Sequence, residues 1–373
     1  MTSGALADLA RRRLEAQRLV GRPFASPVDA VRAFGAVQAQ DLRAATWALG
    51  QRTGATAAGI DGLCASGAIL RTHVLRPTWH LVLPEDAGWL LELTGPRVRS
   101  GLRGRQRELG LDEPAIARAH SAFREALAGG RTLTRAELGV ALRGAGIEPD
   151  VARLTHTVLT AELDRVVVSG PRRGAQHTYA LFEDRVPPAP PLERTAALAE
   201  LARRYFRSHG PARLADFAWW SGFGLAAARD AVAKAGPALE RVAVDGAELW
   251  QDARPRARTA SATVAHLIPS FDEYTVGYRD RSAIVDGQAP IDPGFFAFGS
   301  VLSSIVTIGG RVRGRWRRTD TRRGVSLAVV MLSAATPDEV SAIGEAARGL
   351  ERFLERPVEL SVEAVDQDAS GRP

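Results

Sequence analysis

Two glutamines, Gln38 and Gln40, flank Ala39 just beyond a helix start marked by Ser26 and Pro27. In an extended segment, residues two apart project to the same side, which brings both carboxamides to one cleft. Each amide offers a carbonyl acceptor and two N–H donors, a set suited to gripping a water or a sugar-phosphate. A polar turn beside a helix is the other reading of this pair. Asp41 follows directly, either as a helix cap or as a carboxylate next to the amides. Further along, Ser270-Phe271-Asp272-Glu273-Tyr274 sets two carboxylates side by side, with Tyr278 and Arg279 close behind. Neighbours on a strand point to opposite faces, so a shared site there requires a turn; an ion pair or a buried tyrosine is the structural reading. His73 and His80 lie on facing strands of a predicted hairpin without a third ligand, the pattern of hydrogen-bonded structural histidines. The seven histidines show no zinc spacing, and neither a Walker loop nor a dinucleotide fingerprint occurs, so no metal or cofactor is expected.

The remaining candidates are arginines. Arg311, Arg313, Arg315 and Arg317 alternate with Val312, Gly314 and Trp316, and period two puts the guanidinium groups on one face of a strand. Arg318, Arg322 and Arg323 carry the charge round the following turn to a hairpin tip. Such a hairpin can lie along a groove and neutralise phosphates, which makes Arg313, Arg315, Arg317, Arg318, Arg322 and Arg323 the predicted DNA contacts. A second cluster comprises Arg97, Arg99, Arg103, Arg105 and Arg107. A solvated surface in an arginine-biased composition is the competing reading. The formal charge is +7, yet Lys234 is the only lysine, so the placement of charge says more than its total.

The elements that must position these residues follow a repeated grammar. At 373 residues the chain has room for two or three domain-sized units. Its middle third is clearest: Thr134 to Glu137 is a capping box, a helix with Leu138 and Leu142 follows, and Gly144 and Gly146 stop it. Val151, Leu154 and Val158 mark a second helix, and strands are predicted over 165–168 and 178–182. Helix, helix, hairpin is the winged-helix arrangement. After the stiff linker Pro187-Pro188-Ala189-Pro190-Pro191 it recurs, ending in a type I′ hairpin turn at Asp245-Gly246. An earlier copy holds strands over 69–75 and 79–83, with additional helices over 86–93 and 114–126. Strands over 266–278, 295–298, 304–316 and 325–332, a helix over 339–354 and a loose tail over 366–373 complete the chain, the strands forming a small β-barrel or curled sheet. The expected class is α+β, divided as 1–130, 131–190, 191–258 and 259–373. Cys64 alone excludes an intrachain disulfide, and no run is apolar enough for a signal or a membrane span, so a cytoplasmic monomer is expected.

Four segments in this order resemble the AlkZ-like DNA glycosylases, the winged-helix family that includes the azinomycin self-resistance enzyme. They are Ala36-Val37-Gln38-Ala39-Gln40-Asp41, Leu70-Arg71-Thr72-His73 through Arg76-Pro77-Thr78-Trp79-His80, Leu214-Ala215-Asp216-Phe217-Ala218-Trp219-Trp220-Ser221-Gly222, and Phe271-Asp272-Glu273-Tyr274. The resemblance spans almost the whole chain. It implies three tandem winged-helix units with a C-terminal β-barrel, forming a concave DNA-binding surface. It also implies that Gln38 and Gln40 are the catalytic glutamine-x-glutamine pair, and that the substrates are N7-alkylated purines in duplex DNA, including bulky adducts and interstrand crosslinks. A sister branch carries aspartate at the second position, so Gln40 sides with the self-resistance-like branch. Two alternatives remain: a non-catalytic winged-helix regulator or sequestering protein, and a hydrolase centred on Asp272 and Glu273.

Overall fold

The computed structural model describes residues 1–254, 263–285 and 304–364. The first third runs α1 (Ser3–Ala16), α2 (Pro27–Phe34), β1 (Val37–Gln38), α3 (Leu42–Thr53), α4 (Ala57–Ser66), β2 (Leu70–Val74), β3 (Thr78–Val82) and α5 (Pro84–Glu108). The middle holds α6 (Glu113–Leu127), β4 (Leu133–Thr134), α7 (Arg135–Gly144), α8 (Val151–Leu163), β5 (Val167–Ser169), β6 (Thr178–Leu181) and α9 (Phe182–Arg185). There follow α10 (Arg194–His209), α11 (Leu214–Ser221), α12 (Leu225–Ala235), β7 (Leu239–Val244), β8 (Ala247–Asp252), β9 (Ala265–Ile268) and α13 (Glu273–Val276). The described chain ends in β10 (Ile305–Ile308), β11 (Arg311–Asp320), β12 (Val325–Met331), α14 (Pro337–Leu354) and β13 (Val358–Ala364).

One element order recurs. Helix, short strand, helix, helix, strand, strand describes α2-β1-α3-α4-β2-β3 and again α6-β4-α7-α8-β5-β6. Their sheets share the order first-third-second, β1-β3-β2 and β4-β6-β5. The third occurrence, α10-α11-α12-β7-β8, has an isolated bridge from Ala212 to Trp250 where the short first strand would be. Local chemistry sets the boundaries as read from the residues. Thr134 and Glu137 form the capping box of α7, and Asp245 and Gly246 both take positive φ (49° and 76°), as the tight turn between β7 and β8 requires.

Two compact units emerge from this chain. One comprises Gly35–Gln40 and Asp61–Leu201. Its core joins α6, α7 and α8 through Phe123, Leu127, Leu138, Leu142 and Val158, all buried. Full burial of each large apolar side chain contributes about 1.5–3 kcal/mol relative to exposure. In this unit α5 runs on past the helix expected over 86–93, continuing for 25 residues with Pro96 inside it. Proline there gives up only the one hydrogen bond to the carbonyl four residues back, and the helix carries on. The second arginine cluster is therefore helical and largely engaged: Arg97 donates to the Leu75 carbonyl (2.8 Å), Arg99 pairs with Glu113 and Asp164, and Arg105 pairs with Glu108.

The other unit comprises Met1–Phe34, Asp41–Ile60 and the chain from Ala202 onward. Its sheet has the order β13-β12-β11-β10-β9. Where a small β-barrel or curled sheet was expected, the described strands form a linear ladder. The parallel strand β13, returned by α14, takes one edge, and β9 takes the other. Two readings change here. The run over 266–278 is a strand only to Ile268; Pro269 ends it, and Asp272 caps the short helix α13. The run over 304–316 is split by Gly309 and Gly310, both at positive φ, into β10 and β11. The strand expected over 295–298 and the tail over 366–373 lie outside the described residues.

Candidate active site

The pair Gln38 and Gln40 sits at the end of β1, which registers Val37 against Leu81 and Gln38 against His80 of β3. One further backbone bond, Ala39 N–H to the Trp79 carbonyl (2.7 Å), extends this pairing. The chain then bends at Gln40, so the alternation rule that places both amides on one side stops applying after Gln38. The consequence is unequal exposure: Gln38 is 6% exposed, whereas Gln40 is open to solvent.

Two arginines of the β2–β3 hairpin hold this segment. Arg76, in the turn, donates to the Gln38 side-chain oxygen at 3.0 Å. That bond fixes which end of the amide faces Arg76. Arg71, on β2, donates through Nε to the Ala39 carbonyl (3.0 Å) and through Nη2 toward the Gln40 carbonyl (3.4 Å). Its guanidinium lies 4.3 Å from the centroid of the Trp79 ring. Trp79 in turn packs against His73 (4.4 Å between centroids), and His73 Nδ1 meets the buried carboxylate of Glu162 on α8. A supporting column thus runs from α8 through two rings to the backbone of the glutamine segment. Neither arginine follows from the motif spacing; the signal is a pair of guanidinium groups in a hairpin that carries no acidic residue.

Register separates the two histidines. His73 opposes Trp79 while His80 opposes Thr72, so the histidines lie on opposite faces of the sheet. His80 completes the cross-strand row Gln38–His80–Thr72 and is fully buried. Its Nδ1 stands 2.9 Å from the Thr78 carbonyl; since a carbonyl only accepts, Nδ1 carries the proton. Asp41 is the N-cap of α3, accepting from Ala44 N–H at 3.1 Å.

The carboxylates at 272 and 273 are sealed. Asp272 is 2% exposed and takes a bidentate pair from Arg52 (2.7 and 2.9 Å). Glu273, 1% exposed, accepts from Trp220 Nε1 (2.9 Å) and faces His209 Nε2 (3.1 Å). Tyr274 is buried with its hydroxyl on the Gly310 carbonyl at 2.7 Å. Burial pushes that hydroxyl's pKa far up, and the same holds for Tyr278. Asp216, also buried, accepts backbone N–H groups from Arg213, Arg279 and Asp280. Two of the four signature segments are scaffold.

On β11 the alternation is as read: Val312 and Gly314 are buried, while Arg315 and Arg317 are exposed. The six predicted contacts nevertheless divide. Arg313 is held by Glu339 in a two-toothed pair (3.0 and 3.2 Å), and Arg318 by Asp320 at 2.7 Å. Arg315, Arg317, Arg322 and Arg323 are the exposed members.

The DNA glycosylase AlkZ-like family model matches residues 31–353, and the chain belongs to the AlkZ-like DNA glycosylase family. The solved structure of the Streptomyces sahachiroi DNA glycosylase AlkZ is similar over 95% of this chain and 99% of that one, with a TM-score of 0.72 and 23% sequence identity. At that identity the likeness is one of fold. No curated protein sequence matches the chain. Among the described residues, no helix is long and apolar enough to cross a membrane.

Proposed function

We propose that the protein is a monofunctional DNA glycosylase that hydrolyses the N-glycosidic bond of N7-alkylated purines, bulky adducts and interstrand crosslinks included, with Gln38 and Gln40 as its catalytic pair. The recurring helix-helix-hairpin order supports reading the chain as three winged-helix units over 1–130, 131–190 and 191–258, with the sheet over 259–373 as the C-terminal subdomain. Arg315, Arg317, Arg322 and Arg323 are the phosphate contacts, reinforced by Arg313 and Arg318.

The chemistry asks little of the protein. An N7-alkylated guanine is already cationic, so when its bond to C1′ breaks it leaves as a neutral base without a proton donor. The sugar gains oxocarbenium character, and a water traps it and loses a proton, as in glycoside cleavage generally. Carboxamides are poor bases, but fixed amide dipoles orient water and stabilise developing positive charge. An unalkylated base, with no charge to shed, is left intact.

The observation that carries this reading is the Gln38–Gln40 segment itself, held at both ends by Arg76 and Arg71 in a chain of this family. Purified protein should release 7-methylguanine from methylated duplex, and Gln38→Ala or Gln40→Ala should slow release about 100-fold while DNA binding survives. Activity surviving Asp272→Asn and Glu273→Gln would exclude those carboxylates from the chemistry. The burial of Gln38, with its amide oxygen already engaged, favours one other reading, a DNA-binding regulator without catalysis. Tight binding with no base release would decide for it.

A further inference from the structure

The unit containing the five-stranded sheet also contains a pocket of about 290 Å³, whose lining includes Trp47, Trp316, Arg43, Arg318, Asp41 and Asp320. The two indoles hang from one strand: Trp47 Nε1 donates to the Leu267 carbonyl (2.8 Å) and Trp316 Nε1 to the Ile268 carbonyl (3.0 Å). With both N–H groups satisfied, the rings make no polar demand on an occupant; Trp47 is buried against Phe353, so the aromatic surface on offer is that of half-buried Trp316.

The charge around the pocket is arranged differently. Asp320 is shared by three guanidinium groups, Arg318 (2.7 Å), Arg43 (3.4 Å) and Arg356 (3.4 Å). Asp41 adds a second carboxylate, so three positive groups, Arg356 among them through Asp320, stand against two negative ones, while Arg317 projects from the other face of β11. An indole face beside an excess of guanidinium charge matches a planar base joined to a phosphate. It does not match an aliphatic or a cationic ligand. Size narrows the choice further. The volume lies at the lower end of the roughly 300–1,000 Å³ usual for ligand pockets, enough for one ring system and not for duplex.

We infer that this pocket receives a single unpaired nucleotide of a bound DNA strand, its base against Trp316 and its phosphate between Arg43 and Arg318. The assignment rests on the DNA-directed reading proposed above. It adds a seat for one nucleotide that is distinct from the glutamine pair.

The test uses full-length protein carrying 15N in its tryptophan indoles, with Trp316→Phe to assign the Trp316 signal. It is titrated separately with deoxyadenosine monophosphate, deoxyadenosine, inorganic phosphate and a single-stranded oligonucleotide. The expected result is a saturable shift of the Trp316 indole with the nucleotide and the oligonucleotide, weaker with the nucleoside and absent with phosphate. Arg43→Ala, which alters an exposed side chain, should leave the fold intact and weaken nucleotide binding about fivefold; Trp316→Leu should weaken it about tenfold. An equal response to phosphate alone would reduce the pocket to an anion site and overturn the inference. So would an oligonucleotide that binds without moving the Trp316 signal. A nucleotide response in a protein that binds neither single-stranded nor duplex DNA would sink the DNA glycosylase reading and, with it, the DNA-strand assignment, leaving a free-mononucleotide site; duplex binding and base release without any response at Trp316 would overturn the pocket inference alone.

Discussion

The Gln38–Gln40 and Asp272–Glu273 segments both place two strongly polar side chains within three residues, yet they meet opposite fates. Asp272 and Glu273 are full charges, and each is buried with its counter-groups, Arg52 for one, His209 and Trp220 for the other. Gln38 and Gln40 are neutral; the hairpin arginines hold the Gln38 side-chain oxygen and the backbone carbonyls of Ala39 and Gln40, and Gln40 stays in solvent. A buried charge must be matched on nearly every lone pair, which leaves nothing over for a substrate. An amide can be anchored through one atom and still offer another. By polarity alone the acidic pair looks the stronger catalytic candidate; by accessibility it is excluded.

The sharpest way to break this contrast is to remove Asp272. Asp272→Ala strands the buried Arg52 guanidinium and should lower unfolding free energy by about 3–5 kcal/mol in urea titrations. A loss under 1 kcal/mol would mean the pair is not a structural tie. Gln40→Ala should do the reverse, leaving the urea midpoint in place while slowing 7-methylguanine release about 100-fold. Since neither glutamine titrates, release should also stay flat with pH for as long as the protein is folded. The acid limit should come partly from His120, whose pKa is lowered to about 4, first by burial and then by Arg124 and Arg99. The unfolded chain takes up that proton near pH 6.5, so stability falls as pH drops from there toward 4, by on the order of 2 kcal/mol. His120→Gln should flatten that slope without touching release.

Smaller effects probe the support of the glutamines. A lysine in place of Arg71 keeps the charge but cannot span two carbonyls while stacking on Trp79. Arg71→Lys should therefore cut kcat about tenfold with KM nearly unchanged; a change confined to KM would assign Arg71 to DNA contact instead. Least of all, Arg317→Ala, Arg322→Ala and Arg323→Ala should each reduce the salt dependence of DNA binding by about one unit of slope. Arg313→Ala, which breaks the pair with Glu339, should lower stability more than it alters that slope.

Much of the architecture was legible where a single residue type has one local use. The Thr134–Glu137 box, the Asp245-Gly246 turn and the alternation along β11 all reappear as read. What was hidden depends on distant partners. β1 and β4 are two residues each, too short for any period, and exist only because β3 and β6 supply the ladder. β13 shows alternating Val358, Leu360 and Val362 but could not be told from a tail until α14 returned it beside β12. At the site, the glutamine spacing was visible and its anchoring was not. Arg71 and Arg76 lie more than thirty residues away in sequence and meet the segment only through sheet pairing.

β12 is paired along all seven of its residues with β11 on one side and β13 on the other, and Arg356 ties the tip by donating to the carbonyls of Thr321 and Gly324 (both 2.8 Å). The arginine-bearing arm is therefore a stiff rail rather than a loose finger. Docking along a polyanion would freeze little backbone, so its calorimetric signature should be a modest heat-capacity change, without the large ordering term of a segment that folds as it binds.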